Sequence, residues 1–320
     1  MEIYSGVEHL PTPLSFPVAA IGVFDGLHVG HQTVIQGLVE RARKNQGTAM
    51  LLTFTPHPQK VIASSQAPPL LQTSEQKREI LQDLGVDILL KLPFTRRLSL
   101  YSPEKFALEI LVESGIAEVH VGRNFRFGHR RSGDFSTLER LGAKLGFRVV
   151  GLPQVTFRGE RISSTRIRKL LGQGRVELAA RLLGRPYEVC GTVVRGAGQG
   201  RRLGFPTANL KIENELSPAG GVYATRLAFE GRKHCAATNI GLRPTLTGDR
   251  AAAQTIESHV LDFEGDLYGK FVRLEFCLKL RDERRFQSPE ELALQVSRDL
   301  ERVRRYETRR EEAVCADSGR

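Results

Sequence analysis

Two histidines three residues apart stand in a glycine-rich segment near the start of the chain. The segment is residues 22–31, GVFDGLHVGH, and the pair is His28 and His31. Residues three apart share one face of a helix, so both imidazoles can face the same anion. Gly26 and Gly30 let the backbone approach a ligand, and a helix start offers N–H groups to phosphate. A lone histidine is more often an ordinary core or surface residue; this pair favours a phosphate-binding site.

A cluster of hydroxyl and basic side chains precedes a helical pattern much later in the chain. It is residues 162–168, ISSTRIR. The hydroxyls of Ser164 and Thr165 can cap the helix or bond phosphate oxygens, and Arg168 adds positive charge one turn later. Capping and phosphate binding both stay open on this string alone.

A second glycine-rich segment opens the last part of the chain. It is residues 196–209, GAGQGRRLGFPTAN. Such a loop can present backbone N–H groups and charge to phosphates. The candidates for that contact are Gly196, Gly198, Gly200 and Arg201. Thr207 and Asn209 supply oxygens that suit Mg²⁺. The spacing is not that of a P-loop, and a hairpin without a ligand is the alternative.

The elements that must position these residues change in kind along the chain. In the first part, apolar strands alternate with helical patterns, which predicts a parallel, doubly wound α/β sheet. The predicted strands are 17–24, 47–54, 87–92, 117–122 and 147–152, and the predicted helices are 29–44, 74–84, 102–114 and 135–145.

From about residue 186, short β-rich runs are separated by turns that contain Gly and Pro, which predicts an antiparallel barrel or sandwich. The runs are 187–194, 221–229, 233–240, 255–261 and 270–280, and a capping box predicts a last helix over 288–305. We expect an N-terminal domain over 1–185, a C-terminal domain over 186–306, and a disordered polar tail over 307–320.

Composition limits the classes of partner and location. The 320 residues carry a net charge of +11, which suits polyanionic partners, but the basic residues are scattered and favour a solvated surface. Four separated cysteines without a CxxC pair favour a reducing compartment. No apolar run approaches a membrane span, and residues 1–10 lack the features of a signal peptide. We expect a cytoplasmic protein.

The histidine segment resembles the HxGH motif of the nucleotidyltransferase superfamily and, over its length, the bacterial FAD synthetases. The string at 162–168 resembles their ISSTxIR motif. Residues 121–128, VGRNFRFG, resemble VGxDFRFG, with Asn124 where many members carry Asp. Residues 53–58, TFTPHP, resemble TFxPHP; they include His57, and Thr55 stands where an acidic residue is usual, which puts an acidic role there in doubt.

The second glycine-rich segment resembles the riboflavin kinase module, whose PTAN motif binds metal and ATP. The resemblance implies that Glu257 takes the proton from the flavin's primary hydroxyl. His259 has no implied role and we expect it to be structural. The module implies a small antiparallel β-barrel with a terminal helix, behind a Rossmann-like nucleotidyltransferase domain.

Together the resemblances cover roughly residues 15–306 and imply a bifunctional riboflavin kinase and FMN adenylyltransferase. ATP, riboflavin and FMN are then substrates and Mg²⁺ the cofactor. The implied catalytic residues are His28, His31, Ser164, Thr165, Arg168 and Glu257. Implied ATP-binding residues of the first site are Gly22, Phe24, Asp25, Gly26 and Gly30, and implied flavin-binding residues are Asn124 and His57.

Three alternatives remain at this point. One domain could be inactive, or the acceptor could be another phosphorylated small molecule. The third is a basic RNA-binding protein, but the chain lacks aromatics interleaved on a basic face and any RRM or KH string. We therefore expect small-molecule partners, no nucleic acid and no membrane, with weak self-association left open.

Overall fold

The computed structural model describes residues 1–11, 13–196, 200, 204–243 and 253–318. The chain divides into two compact units, Met1–Ser164 and Thr165–Arg320. The domain boundary near residue 185, indicated by the change of sequence pattern, stays a prediction.

The first unit is built on a six-stranded sheet. Its strands are β1 (Glu2–Ser5), β2 (Val18–Ile21), β3 (Ala49–Thr55), β4 (Ile88–Pro93), β5 (Glu118–Gly122) and β6 (Arg148–Leu152). They lie in the order β1-β4-β3-β2-β5-β6, and every neighbouring pair is parallel. All four residues of β2 are buried, as is typical of a parallel strand covered on both faces. The predicted parallel α/β sheet is confirmed, with β1 as an edge strand that the pattern did not predict.

Six helices accompany this sheet in the part of the unit that the structure describes. They are α1 (Val29–Lys44), α2 (Pro58–Ile62), α3 (Ser74–Asp83), α4 (Arg96–Ser99), α5 (Pro103–Phe106) and α6 (Phe135–Leu145). A π-helical turn, Ala107–Val112, continues α5. Single 3-10 turns occupy Val7–His9, Ser64–Gln66 and His129–Arg131, and a short hairpin pairs β7 (Thr156–Phe157) with β8 (Glu160–Arg161). Helices α1 and α6 have the predicted bounds.

Two apolar clusters form the core of this unit. One contains Met50, Leu90 and Val119 with the side chains around α5 and α6, and the other packs Leu38 of α1 against Leu51. The strand order reverses beside β2, whose neighbours are β3 and β5. In an open α/β sheet such a reversal leaves a crevice beyond the carboxyl ends of the strands. The residues that follow β2 and β5 are therefore the ones placed to bind a ligand.

The second unit is a closed antiparallel barrel with helices. Its strands are β9 (Tyr187–Val194), β10 (Ala208–Ile212), β11 (Gly221–Phe229), β12 (Arg232–Arg243), β13 (Ala253–Val260) and β14 (Phe271–Arg281), in the order β10-β13-β12-β11-β14-β9. Helix α7 (Ser164–Gly172) begins at the last residue of the first unit, and α8 (Val176–Leu183) follows. The barrel is thus confirmed and the sandwich alternative excluded. The sequence pattern does not predict strand β10, because this strand begins within the glycine-rich segment.

The last helix, α9 (Pro289–Ser318), is longer than predicted. Its backbone runs on through residues that we expected to form a disordered tail. Near the start of this extension, the Glu307 carboxylate accepts from Arg226 Nε on the barrel at 3.0 Å and from Arg310 Nη1 at 2.9 Å. Among the described residues, no helix has the length and apolar content needed to cross a membrane.

Candidate functional site

The loop that carries the two histidines lies at the reversal of strand order in the first unit. It leaves β2 at Ile21 and enters α1 at Val29. Gly26 has φ +81°, a conformation that glycine adopts without strain. Phe24 and Leu27 also have positive φ, 49° and 40°, where a side chain is unfavourable. Such a backbone persists only if its surroundings hold it.

The two imidazoles stack on each other at the start of α1. Their ring centroids are 3.6 Å apart with planes at 16°. His28 is the N-cap residue of α1, and its Nδ1 accepts from the backbone N–H of His31 at 3.3 Å. An accepting Nδ1 carries no proton, so the proton of neutral His28 is on Nε2. A Cβ atom at Gly30 would lie 3.3 Å from that Nδ1, which explains the small residue between the histidines.

His31 is neutral at physiological pH. Burial lowers its pKa well below 6.5, and the neighbouring charges of His28, Lys77 and Arg161 lower it further. Its Nδ1 is buried without a hydrogen-bond partner among the residues that the structure describes. A buried polar atom of this kind needs a partner, which a bound ligand can supply.

Two residues implied to bind ATP have side chains that hold the loop. Both carboxylate oxygens of Asp25 accept from the Leu71 N–H, at 3.0 and 3.2 Å, and Asp25 is only 3% exposed. Phe24 is buried, with its ring edge-to-face on His31 at 5.2 Å. Gly22 donates its N–H to Leu52 O at 3.1 Å. An ATP-binding role for these residues stays a prediction.

One residue of the hydroxyl cluster at 162–168, Ser164, contacts the histidine loop. Ser164 Oγ donates to the Asp25 carbonyl oxygen at 2.8 Å. Thr165 and Arg168 follow on α7 in the second unit, where Thr165 is exposed and Arg168 half-buried. Ser164 is therefore bonded to the backbone of the histidine loop.

Arg161 is a site residue that the motifs did not single out. Asn124 follows β5, and with its amide oxygen turned toward Arg161 it accepts from both Nη atoms, at 2.7 and 2.9 Å. Arg161 is also one of the charges that lower the pKa of His31. The signal in the sequence was a basic residue just before the hydroxyl cluster. A cation that the motifs did not indicate therefore contacts Asn124.

The other residue implied to bind flavin, His57, has a structural contact. It is the N-cap of α2, and its Nδ1 accepts from the Gln59 N–H at 3.1 Å. Its flavin contact stays a prediction, as does that of Asn124.

The candidate kinase residues lie side by side on the barrel. Asn209 of β10 is directly opposite Glu257 of β13, and Glu257 is directly opposite Asn239 of β12. Directly opposite residues share a face, with Cβ atoms about 5 Å apart. Thr207 lies two residues before Asn209, just ahead of β10. One carboxylate is thus flanked by two amides, and Asn239 is a neighbour that we had not predicted.

The second glycine-rich segment packs closely on this group. A Cβ atom at Gly196 would overlap the side-chain amide of Asn209, and one at Gly200 would lie 3.2 Å from Thr207 Oγ1. Gly198 and Arg201 lie outside the described residues. His259 Nδ1 bonds the Pro206 carbonyl at 2.8 Å, and its structural role stays a prediction. The described glycines therefore bring backbone next to the predicted metal ligands.

Comparisons with known proteins match the two halves of the chain to two different families. A family model described as FAD synthetase matches residues 13–166, and one described as riboflavin kinase matches residues 183–307. A crystal structure described as a macrolide-efflux protein from Streptococcus pneumoniae has a TM-score of 0.86 to this chain at 27% identity. The match covers 94% of this chain and 98% of the other chain. The two proteins therefore share a fold.

Two curated relatives are named bifunctional riboflavin kinase/FMN adenylyltransferase. The protein of Escherichia coli (strain K12) is 38% identical over 302 residues, 93% of this chain and 96% of its own. That of Pseudomonas fluorescens is 37% identical over 305 residues, 95% of this chain and 97% of its own. The chain therefore belongs to the family of bifunctional riboflavin kinases/FMN adenylyltransferases.

Proposed function

We propose that this chain performs two successive ATP-dependent steps of FAD biosynthesis. The barrel phosphorylates riboflavin to FMN with release of ADP, and the α/β unit adenylates FMN to FAD with release of pyrophosphate. The observation that carries this function is that each half has its own family match. The stacking of His28 on His31 and the register of Asn209 with Glu257 support it.

In the adenylylation step, a phosphate oxygen of FMN attacks the α-phosphorus of ATP. The bond from the α-phosphorus to the bridging oxygen breaks, and pyrophosphate leaves with its electrons. An FMN phosphate has no proton to lose at neutral pH, so the step needs positioning and charge stabilisation rather than a base. His28 and His31 are placed to donate hydrogen bonds to the triphosphate, with Ser164, Thr165 and Arg168 adding contacts.

The loop around the histidines is proposed to hold the nucleotide through its backbone. Gly22, Gly26 and Gly30 allow the close approach, whereas Phe24 and Asp25 contribute through main-chain atoms, since their side chains are buried. Asn124 and His57 are proposed to contact the flavin. Arg161 contacts Asn124, and we add it to this group.

In the kinase step, the primary hydroxyl of riboflavin attacks the γ-phosphorus of ATP, and ADP leaves. Glu257 takes the hydroxyl proton. Asn209 and Asn239, in register on either side of it, can orient the carboxylate and the hydroxyl. Gly196 and Gly200, with Gly198 and Arg201 of the same segment, are proposed to contact the phosphates.

Mg²⁺ is the metal proposed for the kinase step. The hydroxyl of Thr207 and the amide oxygen of Asn209 form an all-oxygen donor set, which fits Mg²⁺ shared with ATP phosphates. When bound, Mg²⁺ would neutralise charge on the transferred phosphoryl group.

The proposal also covers location and assembly. A cytoplasmic location is supported by free thiols at Cys190, Cys235 and Cys277 in the described part of the chain. Weak self-association stays a prediction that gel filtration over a range of concentrations can test.

Product analysis with two variants tests both steps. The wild type, given riboflavin, ATP and Mg²⁺, is expected to form FMN and then FAD, separated by chromatography. His28→Ala should stop at FMN. Glu257→Gln, which keeps the size of the side chain but not its basicity, should form no FMN and still convert supplied FMN to FAD.

Each variant is the folding control for the other, because each keeps the activity of the intact site. Absence of both products from the wild type would refute the proposed function. A Glu257→Gln variant with normal FMN formation would refute the base assignment.

A further inference from the structure

A lysine on α3 contacts the loop that carries the two histidines. Lys77 Nζ donates to the Val23 carbonyl oxygen at 2.9 Å, and Thr53 Oγ1 donates to the same oxygen at 3.1 Å. Val23 and Lys77 are 54 positions apart in sequence, so only the tertiary fold makes this contact.

The residues just before Lys77 hold the next two positions of the loop. Gln72 Nε2 donates to the Phe24 carbonyl at 3.4 Å, and the Leu71 N–H donates to the Asp25 carboxylate. We call residues 71–77 the clamp segment. A capping box between Thr73 and Gln76 fixes its own geometry. Three consecutive loop residues, 23–25, are thus each bonded to the clamp segment.

The ammonium of Lys77 is held in a poorly hydrated place. Burial, assisted by the charge of Lys91 on β4, lowers its pKa to about 8, whereas the Asp25 carboxylate on the loop raises it. Burial is the main cause that lowers the pKa of His31, and the charges of His28, Lys77 and Arg161 lower it further. The positive charge of Lys77 therefore acts on His31.

We propose that Lys77 is a positioning residue for adenylyl transfer: its ammonium holds the Val23 carbonyl and supplies positive charge behind the histidines where the triphosphate binds. This inference rests on the proposed function of the first unit. The positive φ angles of Phe24 and Leu27 mean that neighbours must hold this loop, and Lys77 shares that task with Thr53. A fixed cation in a desolvated place also stabilises developing negative charge better than one in water.

A purely structural lysine would behave differently. A lowered pKa means that the folded state disfavours the charge, so a neutral side chain of similar length should not destabilise the protein. In Lys77→Met, Thr53 still donates to the Val23 carbonyl. We therefore expect an unchanged or higher melting temperature together with a loss of FAD formation, whereas a structural role predicts that both fall.

The kinetic test compares wild type, Lys77→Met and Lys77→Arg in FMN adenylylation from about pH 6.5 to 9.5. The wild-type kcat/KM for ATP should fall above about pH 8, as Lys77 loses its proton. In Lys77→Met, kcat/KM for ATP should be about 10- to 100-fold lower at neutral pH, the size expected for a lost hydrogen bond from a charged group. The variant should also show no decline of kcat/KM at alkaline pH. KM for FMN should not change. Lys77→Arg, which stays charged, should restore part of the activity and keep it at alkaline pH.

The controls are in the same chain. Riboflavin phosphorylation should be unaffected in both variants, and Lys144→Met, which removes an exposed lysine on α6, should leave both steps unchanged. Wild-type kcat/KM in Lys77→Met, or a parallel fall of melting temperature and kinase activity, would overturn the proposal. If Lys77→Met does not fold, a wild-type profile without a decline near pH 8 overturns it.

A second readout needs no turnover. Removal of a nearby positive charge should raise the pKa of His31 in Lys77→Met, measured by NMR titration of histidine-labelled protein with His31→Gln for assignment. An unchanged His31 pKa overturns the charge coupling even if the protein makes no FAD. Failure of wild-type FAD formation, by contrast, would count against the proposed function.

Discussion

Replacement of Asp25 by alanine separates two roles for this residue. Sequence resemblance implies that it binds ATP, whereas the structure buries its carboxylate against the Leu71 N–H at 3.0 and 3.2 Å. Because Asp25 and Leu71 are 3% and 2% exposed, water cannot readily replace the lost acceptor. The structure therefore predicts a loss of stability first, and a loss of activity as its consequence.

The expected loss of stability in Asp25→Ala follows from the contacts of the Asp25 carboxylate with the Leu71 N–H and with the charge of Lys77. A buried N–H without an acceptor costs about 1–3 kcal/mol. Asp25 is also the charge that raises the pKa of Lys77, so its removal lowers the protonated fraction of that lysine at neutral pH. With about 2 kcal/mol lost, the melting temperature of a unit of this size should fall by roughly 4–8 °C.

The assay is thermal unfolding followed by circular dichroism, with FAD formation and riboflavin phosphorylation measured on the same samples. Asp25→Asn, which keeps one acceptor oxygen, is the matched variant and should show a smaller fall. The kinase step should be retained in both. An unchanged melting temperature in Asp25→Ala, accompanied by a raised KM for ATP, would refute the anchoring role and restore the ATP-binding one.

Two further predictions concern His31 and the kinase loop. The pKa of His31 in the folded protein lies well below 6.5. As the pH falls below about 6.5, the His31 imidazole therefore binds a proton in the unfolded chain before it does so in the folded one. The folded state is thus destabilised at acidic pH, and this loss is absent above about pH 6.5. His31→Gln should reduce that acid sensitivity in thermal unfolding, and an equally steep loss in the variant would contradict the idea. Gly196→Ala should lower riboflavin phosphorylation about tenfold or more, since the new Cβ would overlap the Asn209 amide, and it should leave FMN adenylylation intact. A normal rate of riboflavin phosphorylation in Gly196→Ala would show that the second glycine-rich segment can move to accommodate the new Cβ without loss of activity.

Local patterns accounted for much of the fold. The bounds of α1 and α6, the parallel sheet and most barrel strands follow from hydrophobic periodicity and turn residues, which are properties of adjacent positions. The elements that were missed carry weak local signals. Strand β1 is a four-residue edge strand, and β10 begins within a glycine-rich segment that reads as a loop.

The far end of α9 extends beyond the predicted helix of 288–305. Residues 307–318 look like a polar tail because they carry no apolar stripe, yet the helix continues there. The pairing of Glu307 with Arg226, 81 positions apart in sequence, is a tertiary contact that no local pattern contains.

The residues of the candidate sites also fall into those indicated by local motifs and those identified by tertiary contacts. Short, contiguous motifs carry the family resemblance, the histidine pair and the residues of the glycine-rich segments. The folded structure is needed to show that Asp25 anchors the loop, that Arg161 contacts Asn124, that Asn209 lies opposite Glu257, and that Lys77 bonds Val23. Those contacts join residues dozens of positions apart, and strand order, register and burial create them when the chain folds.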